Sequence, residues 1–151
     1  MKARSERRAA TGRLRSRPAA ILCACLALSL PGPAPAQERA AIRFATGANS
    51  ATVADALNGR DYRDYVLVAR QGQTLSFTLE ATGGDGHGSV YANVLPPGSD
   101  GVAILVGSSL PDGNGSVVLP ESGDYVLRVY LMGNDRDAAK TVEYVLEPRI
   151  E

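Results

Sequence analysis

From residue 42 to the end of the chain, apolar and polar side chains alternate in short runs broken by Gly, Pro, Asn and Asp, and no helical period lasts more than a turn or two. A period of two is the mark of strands with one buried face. Leu75, Phe77 and Leu79 point one way, Ser76 and Thr78 the other. The same grammar predicts strands at 42–44, 51–57, 62–69, 90–95, 102–106, 117–119 and 141–146, the last ended by Pro148. Tyr125 to Met132 is apolar on both faces except at Arg128, which suits a central strand. Arg128 is expected to lay its stem on the sheet and its head in water. Asn58-Gly59 and Gln71-Gly72-Gln73 read as tight turns. Thr82 to Gly88 reads as a loop unable to pack. Eight or nine short strands without a helical crossover define an all-β fold, a single antiparallel, jelly-roll-like β-sandwich.

Acid-Tyr-Val-Leu occurs at Asp64, Asp124 and Glu143, at spacings too unequal for a structural repeat. Its predicted role is shared strand entry, with the acid in a turn and the tyrosine anchoring the strand that follows.

Residues 1–36 carry seven basic side chains against Glu6 alone. They continue through an apolar run, Ala19 to Leu30, into Pro31-Gly32-Pro33-Ala34-Pro35-Ala36. Basic, then apolar, then small is the layout of a secretory signal peptide, with cleavage placed after Ala36. The run is too short to span a membrane, which takes about 20 residues. Lipid anchoring through Cys25 is disfavoured, because only about six apolar residues would precede that cysteine. Residues 37–40 then form an N-terminal tail and 41–151 the folded domain. Both cysteines, Cys23 and Cys25, fall in the leader, so the exported domain is expected to lack disulfides and thiolate chemistry. Without the leader, 9 basic side chains face 15 acidic ones, a formal charge of −6. Such a domain lacks the clustered positive charge of a nucleic-acid binder.

The residues carry no recognisable catalytic set. The only histidine, His87, sits in the glycine-rich stretch, and the acids fall mostly at turn positions. Asn134, Asp135 and Asp137 resemble an oxygen-rich calcium turn but lack a second cluster and a central glycine. Residues 83–88 lack the Lys-Ser/Thr of a phosphate loop. The expectation is a non-enzymatic domain with no metal and no cofactor.

Two segments carry a resemblance. One runs from Ile42-Arg43-Phe44 through Asn58-Gly59-Arg60-Asp61-Tyr62-Arg63-Asp64-Tyr65-Val66-Leu67. The other is Ser122-Gly123-Asp124-Tyr125-Val126-Leu127-Arg128-Val129-Tyr130-Leu131-Met132-Gly133-Asn134-Asp135. With the Asn93-Val94-Leu95-Pro96-Pro97-Gly98-Ser99 turn, they resemble the bacterial periplasmic inhibitors of goose-type lysozyme over roughly residues 41–148. The resemblance implies a periplasmic β-sandwich whose Ser-Gly-x-Tyr loop enters the substrate cleft of a goose-type lysozyme. Ser122 and Gly123 would form the tip, followed by Asp124, with Tyr125 bracing the loop and Tyr62 at the rim. Asn134, Asp135 and Arg136, after the long strand, would add partner contacts. Here Gly133 precedes Asn134, and Asp137 stands where the family implies a second basic group, which leaves Arg136 as the only nearby guanidinium. A more distant resemblance, to the pre-peptidase C-terminal β-sandwich domains, implies instead a module binding envelope carbohydrate or protein. In either case the domain would be a monomer or a weak homodimer through an edge strand.

Overall fold

Among the described residues, eight strands carry the alternation into three dimensions. The computed structural model describes residues 38–151, so the expected leader and its two cysteines lie outside the described residues. The strands are β1 (Glu38–Ala41), β2 (Val53–Asn58), β3 (Tyr62–Ala69), β4 (Thr74–Gly84), β5 (Val90–Leu95), β6 (Gly115–Val118), β7 (Gly123–Leu131) and β8 (Thr141–Ile150). A single-turn helix, α1 (Gly133–Asp137), joins β7 to β8. No described helix is long and apolar enough to cross a membrane.

The strands form two four-stranded sheets, ordered β1-β3-β7-β5 and β2-β8-β4-β6. Inward residues from both sheets make one core, in which Tyr65, Tyr125, Tyr144, Leu127 and Leu146 are fully buried. Truncating any of these to alanine should cost about 3–5 kcal/mol in lost transfer energy and residual cavity. All three Acid-Tyr-Val-Leu tyrosines therefore anchor the core. Their acids do not sit in turns, however: Asp64, Asp124 and Glu143 all lie inside strands.

Several boundaries differ from the sequence reading. The tail expected at 37–40 is strand from Glu38 onward, and β1 runs parallel to β3, so the sandwich is not wholly antiparallel. The predicted strand at 42–44 belongs to the connection that follows, where Ile42 still donates to Val66 O. Residues 102–106 are not a strand. Only Ile104 and Leu105 bond Val94, as the chain crosses the end of β5. β4 continues through the glycines into Gly84, slipping register between Ala81 and Gly83 as it pairs with β8.

Pro148 does not end β8. Its carbonyl accepts from Ala51 N on the β2 side, beyond the last ladder pair, Val53 with Leu146, so its missing N–H breaks no ladder bond.

Candidate partner-binding site

The turn before β7 is exposed at Ser122 and Asp124 and anchored from beneath. Tyr125 is fully buried, and its hydroxyl donates to Glu121 O at 2.8 Å while Glu121 N approaches it at 3.3 Å. Ser122 Oγ accepts from Gln71 N at 2.9 Å, which leaves the hydroxyl proton for an outside acceptor. Gly123 has φ 155°, and a Cβ there would stand 2.7 Å from Pro97 Cγ. Only glycine lets the tip lie against that proline. The tip is thus exposed at Ser122 and Asp124 and braced, with Tyr125 supporting it from inside the core.

The other expected contacts gather around α1. Tyr62 opens β3, half-buried, with the Arg128 guanidinium 4.4 Å from its ring centroid. Asn134 and Arg136 are exposed on α1. Asp135 is fully buried and faces inward. Its two oxygens accept from His87 N and Ser89 N, both at 2.8 Å. These backbone donors hold its carboxyl below the usual carboxylate range. The glycine-rich segment expected to be unpacked is pinned at this point, and Asp135 presents nothing to an outside partner. Asp85 adds a second clamp, accepting from Thr141 N at 2.7 Å and Lys140 Nζ at 3.2 Å.

Strand register separates the two groups. Gly123 pairs with Ala69 at one end of β3–β7, and Tyr62 with Tyr130 at the other. Seven residue steps of about 3.4 Å put the Ser122 tip roughly 24 Å from Tyr62 and α1. They share a sheet but not a single loop cluster.

The head of Arg128 is paired rather than solvated. Its Nε and Nη2 donate to the two oxygens of buried Asp64, and its Nη1 to Asp100 O at 3.0 Å.

Sequence reasoning also missed Arg60. This exposed residue of the β2–β3 turn puts its Nη2 3.5 Å from Asp137 Oδ1, the same oxygen that Arg136 Nε approaches at 2.9 Å. The direct bonds from Arg136, with Arg60 adding its charge, hold the Asp137 carboxyl below the usual range. Arg60 and Asp137 are far apart along the chain, and only the Asn58-Gly59 turn signal pointed to the place where they meet. No group of three or more His, Cys, Asp or Glu able to hold a metal occurs among the described residues.

No family model matches the chain. Over 111 residues, 73% of this chain and 79% of its counterpart, it is 31% identical to the inhibitor of g-type lysozyme of Escherichia coli strain K12. The crystal structure of the Aeromonas hydrophila periplasmic inhibitor of g-type lysozyme superposes with a TM-score of 0.68 at 28% identity, covering 76% of this chain and 98% of that one. The pre-peptidase C-terminal domain of a Bacillus anthracis collagenase gives a TM-score of 0.51 at 13% identity, covering 79% and 100%, a likeness of fold alone.

Proposed function

We propose, because this chain belongs to the family of inhibitors of g-type lysozyme, that it binds a g-type lysozyme in the periplasm and blocks its substrate cleft. It acts stoichiometrically and without catalysis. The observation supporting the cleft-filling mechanism is the exposed Ser122-Gly123-Asp124 tip, held rigid by the buried Tyr125 hydroxyl. A rigid tip loses little freedom on binding. The enzyme's groove carries an acid poised to protonate a glycosidic oxygen. The Ser122 hydroxyl and the backbone around it offer such a group hydrogen bonds while excluding the sugar.

Tyr62, Asn134 and Arg136 make a second set of contacts, with Asp135 fixing the loop beneath them. A standard interface of about 800 Å² per partner is roughly 32 Å across if circular, wide enough to cover both ends of β7. The formal charge of −6 on residues 37–151 steers the domain toward an enzyme of positive net charge at low salt.

The test is the rate at which a g-type lysozyme clears a cell-wall suspension. The purified protein should slow clearing at near-equimolar ratio, and Ser122→Arg should weaken the effect by about tenfold or more. An unchanged rate with the protein in large molar excess rejects the reading.

A further inference from the structure

We propose that Arg60 and Arg136 form a two-guanidinium receptor for a carboxylate of the partner, with Asp137 occupying that receptor until the partner arrives. This rests on the lysozyme-inhibitor reading and deepens it by naming a contact residue and its chemistry.

Along the chain, Asp137 stands where the family implies a base, so this end reads as short of positive charge. In space, the β2–β3 turn supplies the missing cation. Arg60 and Arg136 converge on one oxygen of Asp137, at 3.5 and 2.9 Å, and Arg136 Nη2 reaches the other at 3.3 Å. Two guanidiniums thus converge on one carboxylate at the surface of an acidic domain.

The spot is built to stay in place. Asn58 Nδ2 donates to Ala139 O and Thr141 Oγ1, both at 3.0 Å, and Gly59 N donates to Lys140 O at 2.9 Å. Gly59 has φ 54°, and a Cβ there would lie 3.0 Å from Ala139 Cα. The turn carrying Arg60 is therefore fastened to the segment that follows α1.

The side chains themselves remain open, at 78% exposure for Arg60, 43% for Arg136 and 52% for Asp137. Ion pairs this exposed contribute little, so an incoming carboxylate can displace Asp137 at small cost. Once water is excluded at an interface, the same guanidiniums bind a carboxylate through shorter and stronger charge-assisted bonds. By contrast, Arg63 and Arg128 are spent on Asp55, Glu38 and buried Asp64 inside the domain. A cleft that protonates a glycosidic oxygen displays carboxyl groups of the kind this receptor fits.

The experiment measures inhibition of a g-type lysozyme by the purified protein and four variants of matched thermal stability. Arg60→Ala should weaken inhibition about tenfold, and Arg60→Lys should recover part of the loss. Asp137→Asn, which frees both guanidiniums, should strengthen inhibition several-fold at low salt. Arg149→Ala, remote from the receptor, serves as the control and should change nothing. If the parent protein inhibits but Arg60→Ala inhibits equally well, or Asp137→Asn inhibits less well, the receptor is overturned while the inhibitor reading stands. A parent protein that does not inhibit overturns both.

Discussion

Asp64 and Arg128 face each other across β3 and β7 in a two-bonded ion pair, Nε to Oδ1 at 2.7 Å and Nη2 to Oδ2 at 2.8 Å, with the carboxylate fully buried. The same guanidinium covers the Tyr62 ring and bonds Asp100 O, so one pair ties the sheet to the 96–101 connection and fixes an expected contact residue. Arg39 Nη2 adds a second cation 3.7 Å from Asp64 Oδ2. Asp64→Ala leaves the Arg128 head without its main partner. The expected loss is about 3 kcal/mol, since breaking a buried pair from one side strands a charge. In thermal unfolding that is a fall in Tm on the order of 10 °C. A variant as stable as the parent would show that solvent already compensates the pair.

Tyr125→Phe keeps the buried ring and removes only the hydroxyl that holds Glu121 O. The global cost should be about 1 kcal/mol. Inhibition of lysozyme should fall several-fold, because a tip no longer braced must be ordered during binding. Parallel unfolding and clearing measurements separate the two effects. Unchanged inhibition would mean the tip needs no brace.

Acid should release the 85–89 segment before it unfolds the sandwich. The Asp135 carboxyl is held below its ordinary value by His87 N and Ser89 N, and that of Asp85 by Thr141 N and then Lys140. A lowered folded-state value means this stabilisation is complete above about pH 4 and is lost as pH falls through the lower folded value. Asp135→Asn keeps one acceptor oxygen where two amides need one each. Hydrogen exchange at the His87 and Ser89 amides should therefore rise roughly tenfold at neutral pH. Protection equal to that of the parent would contradict the clamp.

The alkaline limit should come from the tyrosines between the sheets. Tyr144 is pushed up to about 12, mainly by burial, and Tyr65 is also raised, first by burial and then by its bond to Tyr144. Their hydroxyls lie 2.8 Å apart, and Tyr65 also donates to Asp55 at 2.9 Å. A folded value above the unfolded one of about 10 gives stability that is whole below pH 10 and is lost as pH rises toward 12. Phenolate absorbance from these two rings should therefore appear together with the loss of tertiary circular dichroism. Ionisation of both in a still-folded protein would refute this.

The ranges of β3 and β5 are legible residue for residue, because each is a short run of strand-forming residues bounded by turn signals. The braced turn before β7 is legible as a motif, though the partner of the Tyr125 hydroxyl is not. Gly83-Gly84 reads as loop because glycine has no side chain to reveal that β8 will pair with it. Asp135 reads as an exposed turn acid, although its burial depends on two amides nearly fifty residues upstream.

Alone, the amino-acid order settled the all-β class and the core tyrosines, because these follow from period and polarity over a few neighbouring residues. Tertiary structure decided which polar groups face water and which guanidiniums stand together. Arg60 meets Asp137, and Asp64 meets Arg128, across more than sixty residues of chain, and no local pattern encodes a juxtaposition made by strand register. It also decided that the tip and the α1 group lie at opposite ends of one sheet, since β3 and β7 pair along their whole length.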